Sequence, residues 1–181
     1  MELTSRRLLL RPLDDEDAPA VQQMASEPEI AATMLAVPHP YPDGAAARWI
    51  ATHEALRHKS THVLGIEIRE SRVLVGTVSI RCNPVHLRAE LGYWTGVPYW
   101  GNGYATEAVR TVVDWGFETL GLERIYAQHL DGNKASGRVL QKAGLRYEGT
   151  LRHCVRKNGT HYDTPMYAIL RCDWEALRRQ S

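Results

Sequence analysis

The sequence has no apolar stretch near the roughly 20 residues a membrane span requires, and its early apolar run covers only Leu8 to Leu10, without the h-region of a signal peptide. Cysteine is scarce: Cys82, Cys154 and Cys172 are odd in number and far apart, which excludes a disulfide framework and fits reduced thiols. These absences lead to the expectation of a cytoplasmic protein. Charge of one sign is missing too. With 22 basic and 21 acidic residues the net charge is +1, so no long-range field favours nucleic acid or an anionic membrane. Linkers, internal repeats and low-complexity segments are absent, and 181 residues suffice for a sizeable core, so one domain spanning residues 1–181 is expected.

Metal-ligand spacing is lacking as well. His53-Glu54 with His58 imitates a zinc-protease motif at the wrong interval, because five residues advance a helix about 500° and leave the two imidazoles about 140° apart. No metal is expected. Asn158-Gly159-Thr160 matches a glycosylation acceptor but reads as a turn without a secretory signal. There is no G-x-x-x-x-G-K-[ST] and no complete G-x-G-x-x-G, since Thr106 stands where the third Gly or Ala would be.

What is present is a strand, a glycine turn and a long amphipathic helix in succession. Leu87, Ala89, Leu91 and Tyr93 alternate with Arg88, Glu90, Gly92 and Trp94, the pattern of a half-buried strand. Ala105, Ala108, Val109, Val112, Gly116 and Leu120 recur at intervals of three and four, as one helix face does. Between them, Gly101 and Gly103 free consecutive backbone N–H groups to turn toward one point, and the helix N-terminus adds unsatisfied donors and a positive dipole end. A phosphate fits such a cradle.

The rest of the chain alternates helix and strand. A strand near residues 6 to 11 precedes a helix opened by Asp14 to Asp17 and a broken helical region to about Leu35, and Pro38, Pro40 and Pro42 force a loop. Asp43 is read as the cap of a helix reaching about Lys59, with Trp49, Ile50 and Leu56 inward. Strands follow at 62 to 69 and 72 to 80, with Val63 and Val73 among their alternating apolar residues, then the glycine-turn unit. After it come a short strand at 124 to 129 and a helix from Lys134 to Ala143 with Gly144 as its C-terminal cap. Asn158-Gly159 is the favoured dipeptide of a type I′ hairpin closing the chain. The pattern implies an α/β fold with a single mixed sheet flanked by helices.

Gly92-Tyr93-Trp94 followed by Trp100-Gly101-Asn102-Gly103-Tyr104-Ala105-Thr106-Glu107-Ala108 resembles the acetyl-CoA site of the GNAT N-acetyltransferases, and within them the RimJ/RimL-like, ribosomal-protein branch. The likeness extends over nearly the whole chain. Ser5-Arg6-Arg7-Leu8-Leu9-Leu10-Arg11-Pro12-Leu13 is similar to that branch's opening strand. Asp131-Gly132-Asn133-Lys134-Ala135-Ser136 with Lys142-Ala143-Gly144-Leu145 resembles its second cofactor motif, and Tyr147 through Asn158-Gly159 to Asp163 its closing hairpin. The family's Q/R-x-x-G-x-G/A pattern maps onto Trp100, Gly103 and Ala105, with Trp100 a departure at the first position.

The resemblance implies an acetyl-CoA-dependent N-acetyltransferase, a homodimer, and an acceptor chosen by residues about 27 to 41 and by the closing hairpin. It also implies that acetyl-CoA is held by Trp100, Gly101, Asn102, Gly103, Tyr104, Ala105, Thr106, Asn133 and Ser136, with Asn133 on the amide-bearing arm. Glu90 has two readings: a base acting directly or through a water, or a surface carboxylate paired with Arg88. Glu107 is a second candidate for the base or, as the third residue of a helix capped by Tyr104, satisfies an N-terminal amide.

The tyrosine that many relatives place seven residues after the motif asparagine is Leu140 here. Ser136 either donates a hydrogen bond to the cofactor sulfur in its stead or serves only the backbone. Lys134, Arg138 and Lys142 either meet phosphates or form a solvated helix face. The acceptor reading is the N-terminal α-amine of a protein or peptide. The alternatives are a small amine or antibiotic, or a noncatalytic acyl-CoA-binding module.

Overall fold

The computed structural model describes residues 1–179. In chain order the elements are β1 (Leu3–Thr4), β2 (Leu8–Arg11), α1 (Ala18–Ala25), α2 (Pro28–Thr33), α3 (Ala45–Ala51), α4 (His53–His58), β3 (Thr61–Ile68), β4 (Leu74–Asn83), β5 (Arg88–Thr95), α5 (Tyr104–Glu118), β6 (Arg124–Gln128), α6 (Lys134–Lys142), β7 (Arg146–Lys157), β8 (Thr160–Leu170) and α7 (Arg171–Arg178). The strands form one sheet in the order β1-β2-β3-β4-β5-β6-β8-β7. All neighbours are antiparallel except β5 and β6, which run parallel. A parallel pair needs a crossover connection, and α5 supplies it.

Two apolar clusters hold the layers together. Ala108, Val109, Val112, Val113 and Phe117 of α5 bury against Ile80, Ala89, Leu91 and Ile125 of the sheet. Ala108, Val109 and Val112 lie on the face the three-and-four spacing predicts; Val113 and Phe117 widen it, and Leu120 falls beyond the end of α5. Gly116 lies where any side chain would collide, since an added Cβ would stand 2.7 Å from Ile125 Cδ1. Trp94 points the other way from Ala89 and Leu91 and joins Leu13, Val21, Met24, Ile30, Ile50 and Leu74 in the second cluster, beneath α1, α2 and α3. Arg11 stitches this side together, donating to Asp17 at 2.7 and 2.9 Å and to the buried Glu67 at 2.6 Å.

Several local expectations are corrected. Gly44, not Asp43, precedes α3, in a left-handed conformation with φ +67° and no side-chain cap, and the helix expected to reach Lys59 divides at Thr52 into α3 and α4. Val73 lies outside β4 and is 38% exposed. Leu87 precedes β5 with φ +47° and is also exposed. At the closing turn Asn158 and Gly159 have φ +47° and +82°, the two positive values a type I′ turn requires, and Lys157 pairs with Thr160. No helix among the described residues is long and apolar enough to cross a membrane.

Candidate active site

β5 and β6 pair only over Arg88–Glu90 with Arg124–Tyr126. Beyond Glu90 the two strands part, so the β6-facing edge of Leu91 to Thr95 keeps backbone groups without a ladder partner. The sheet thus splays open at the point where β5 runs into the glycine turn. A cavity of about 320 Å³ sits there, between the N-terminal ends of α5 and α6 and the end of α2.

The turn is pinned by side chains. Trp100 Nε1 donates to the Thr95 carbonyl at 2.7 Å, closing the loop back on β5, and Asn102 Nδ2 donates to the Trp100 carbonyl at 3.1 Å. Gly101 and Gly103 adopt φ +79° and +80°, the left-handed region that glycine enters without a Cβ penalty. Gly103 is the residue immediately before α5, so Tyr104 is its first helical residue, and no side chain caps the free amides of the first turn.

Arg7, which the sequence places in the opening strand without a role at the site, holds the cradle. Its Nη1 donates to the Asn102 carbonyl at 3.1 Å and its guanidinium lies 4.9 Å from the Tyr104 ring centroid. Its Nε and backbone N–H both donate to Glu107 at 2.7 Å, and Ser5 Oγ donates to the same carboxylate at 2.8 Å. Glu107 is therefore the fourth helical residue and ties β2 to α5 rather than capping the helix. Burial would raise its pKa, but the three donors outweigh burial and hold it below the usual carboxylate range.

On the opposite wall, Asn133 caps α6, its Oδ1 accepting from the Ser136 N–H at 3.1 Å. The Ser136 hydroxyl is not spent on the backbone. It lies 2.7 Å from the phenol oxygen of Tyr93, whose single proton goes either to it or to the Ser136 carbonyl at 3.0 Å. Burial pushes the Tyr93 phenol well above its ordinary value, so it stays protonated. Leu140 is fully buried in the core and cannot reach the cavity. The alternation pattern had placed Tyr93 with the apolar residues of β5; only its hydroxyl, two residues before the strand ends, distinguished it from them.

Of the residues expected to bind cofactor, Trp100, Gly101, Gly103, Tyr104, Ala105, Thr106, Asn133 and Ser136 line this one cavity, joined by Tyr93, Arg138 and Lys142. Asn102 does not line it and acts within the turn. Glu90 also stands apart. Its carboxylate is bound by Arg81 of β4, not by Arg88, and it precedes the first cavity-lining residue of the strand, Tyr93, by three residues, about 10 Å along an extended strand. Lys134 is absent from the lining.

The donors match a long polyanion with an amide-bearing arm. The glycine turn and the first turn of α5 present N–H groups to phosphate, Arg138 and Lys142 add positive charge, and the splayed edge of β5 offers hydrogen bonds to an extended chain. Coenzyme A has that make-up. Among the described residues no group of three or more His, Cys, Asp or Glu side chains could hold a metal ion.

Comparison with known proteins agrees. The uncharacterized N-acetyltransferase YoaA of Bacillus subtilis (strain 168) is 37% identical over 171 residues, which covers 93% of this chain and 96% of that protein. A GNAT-family acetyltransferase from Bacillus anthracis superposes with a TM-score of 0.85 at 24% identity, covering 94% of this chain and 99% of the other. RimL, described as a ribosomal L7/L12 alpha-N-protein acetyltransferase in complex with coenzyme A, superposes with a TM-score of 0.85 at 18% identity, covering 94% and 98% of the two chains. Residues 7–146 match the acetyltransferase (GNAT) domain, and the chain belongs to that family of acetyl-CoA-dependent N-acetyltransferases.

Proposed function

We propose that the protein acetylates the N-terminal α-amine of a protein or peptide. The observation that carries this reading is that the cavity wall, apart from Arg138 and Lys142 on the phosphate side, contains no carboxylate among the described residues. A polyamine or an aminocyclitol brings several positive charges and needs acidic partners, whereas the end of a peptide chain brings one ammonium that deprotonates readily. The likeness to RimL supports the same acceptor class.

The proton balance fits. An α-amine titrates near 7.7 to 8.0, so roughly a tenth to a fifth is neutral at pH 7, against about one in a few thousand for a lysine near 10.4. A site whose nearest strand carboxylate, Glu90, is held by Arg81 outside the cavity suits the first and not the second. In this reading the amine releases its first proton to solvent before attack, and the extra proton left on nitrogen passes to water as the tetrahedral adduct expels the thiolate.

Acetyl-CoA supplies a thioester whose sulfur departs as thiolate. Gly101, Gly103 and Tyr104 to Thr106 hold its phosphates by backbone N–H groups, and the free edge of β5 aligns its arm. With its proton turned to Ser136 Oγ, Tyr93 fixes that hydroxyl, whose own proton is then free to donate to the sulfur as charge develops there. The phenol does not surrender its proton: its pKa lies far above the value near 8.5 of a thiol, so proton transfer from it would run uphill. Stabilisation is by hydrogen bond, and the thiolate takes its proton from water.

The test is acetyl-CoA consumption with a free peptide N-terminus, an α-blocked lysine peptide and spermidine. Turnover of the first alone supports the reading; preference for either of the others overturns it.

A further inference from the structure

The β2–β3 ladder stops at Arg11 and Gly65, whereas β3 extends back to Thr61. Along β3 the backbone groups alternate between its two neighbours. The Arg69 N–H donates to Arg7, just before β2, and the Ile68 N–H to Val73, just before β4, so odd-numbered residues turn toward β2. Val63 is odd-numbered and lies past the end of the ladder. Its N–H and C=O therefore face an edge that carries no strand.

A second cavity, of about 160 Å³, opens on that edge, with Pro12, His53, Arg57, His62, Val63 and Leu64 in its wall. It shares no residue with the cavity beside the glycine turn. A water molecule takes about 30 Å³ of liquid volume, so the space holds several waters or one small oxyanion.

His53 is 6% exposed, and neither of its ring nitrogens has a hydrogen-bond partner. Its ring stands edge-on to Trp49, with centroids 4.4 Å apart. A buried N–H without a partner costs its full desolvation, and a cavity-lining group of this kind calls for a guest that is not protein. The Cβ–Cγ torsion of histidine is soft, so the guest selects which nitrogen meets it.

Arg57, in the last turn of α4, supplies a full charge. It is exposed and has no ion pair among the described residues, and no acidic side chain among them lines the cavity. Its charge reaches both rings: burial first, and Arg57 second, hold the His53 and His62 pKa values below the ordinary one. A neutral imidazole still donates one N–H. One guanidinium, two imidazoles, an unladdered backbone N–H and no carboxylate make up an oxyanion site.

We propose that this second cavity binds a small oxyanion, a phosphate or a phosphate monoester, held by Arg57, His53, His62 and the Val63 N–H. The site lies apart from the acetyl-transfer cavity and does not depend on the acceptor reading.

The experiment uses the full chain at pH 7 in Tris chloride. Coenzyme A first saturates the glycine-turn cavity, so that oxyanions added afterwards report on the second one. Inorganic phosphate, glycerol phosphate and acetate are then titrated by calorimetry and by the ring Cε1–H signals of His53 and His62, assigned from His53→Gln and His62→Gln. Inorganic phosphate should bind saturably at one equivalent and shift both ring signals. Arg57→Gln should weaken it at least tenfold, the loss of a charge-assisted contact. Lys59→Gln, which removes a neighbouring charge outside the wall, should change it less than twofold. Both side chains are exposed, so neither change disturbs the core.

Equal affinity for glycerol phosphate assigns a phosphate monoester with its ester arm outside, and binding of inorganic phosphate alone assigns the free ion. Absence of saturable binding, equal weakening by Arg57→Gln and Lys59→Gln, ring signals that stay in place, or a preference for acetate over both phosphates would each overturn the proposal.

Discussion

Replacing Gly103 by alanine tests the phosphate cradle against a control the fold itself provides. Gly103 has φ +80°, and a Cβ built there would lie 3.4 Å from Arg7 Nη2. Gly121 has φ +65° with nothing within 4 Å of an added Cβ, and it does not line the cavity. Left-handed backbone costs a non-glycine residue about 1–2 kcal/mol, so both Gly103→Ala and Gly121→Ala should lower stability by that amount. For a chain of this length that is a fall in Tm of about 2–8 °C.

Only Gly103→Ala should lose coenzyme A. Its methyl group would stand off the phosphate and cost at least one charge-assisted hydrogen bond, about 1.5–3 kcal/mol, which is roughly a 10- to 150-fold rise in Kd. Thermal unfolding and calorimetry on the two variants separate strain from binding. Equal coenzyme A affinity in Gly103→Ala and Gly121→Ala, with both folded, would refute the cradle.

Other consequences follow from the same geometry. Tyr93→Phe should lower kcat about 10- to 100-fold while leaving coenzyme A affinity nearly unchanged, because it frees Ser136 to turn away from the sulfur; Ser136→Ala should cost a similar factor, and the double variant little more than either, as residues acting through one hydrogen bond are not additive. Glu90→Gln should cost less than about tenfold in kcat/KM, short of the 10²–10⁴ expected for a base in direct contact; a larger loss, confined to low pH, would restore Glu90 to the proton path. His53 is buried against Trp49, and desolvation, with Arg57 adding to it, lowers its pKa. The unfolded chain therefore binds more protons than the folded one below about pH 6.5. Stability from this site is present above that pH and is lost as pH falls toward the folded value, so His53→Leu should flatten the drop in Tm between about pH 6.5 and 5.

Much of the architecture was legible because it is written locally. The alternation of Ala89 to Tyr93, the glycine pair, the apolar stripe of α5 and the Asn158-Gly159 turn are each short patterns with one favoured geometry, and all are present in the fold. What escaped depends on residues distant in sequence. Arg7 reaches Asn102 and Glu107 across a sheet whose register no local pattern encodes, and Lys157 reaches Ala31 only because the hairpin passes over α2.

Glu107 was misread by one helical position, because the left-handed Gly103 starts α5 at Tyr104 instead of letting Tyr104 cap it. Tyr93 was hidden by its own apolar ring: packing alone placed it inward, and its hydroxyl acquires meaning only when α6 brings Ser136 to 2.7 Å. Trp100, which departs from the family pattern, proves to be the staple of the turn through its indole N–H.

The most direct test of the central claim compares kcat/KM at pH 7 for a peptide with a free N-terminus, the same peptide α-blocked with one lysine, and spermidine, each at saturating acetyl-CoA. The difference in neutral fraction alone favours the α-amine over a lysine by a few hundredfold, so each value is first divided by the fraction of neutral amine. The account predicts that the free N-terminus remains the better substrate after that correction, and that its uncorrected kcat/KM rises with pH and levels off near the pKa of the α-amine. A higher corrected value for spermidine or for the blocked lysine peptide would contradict it.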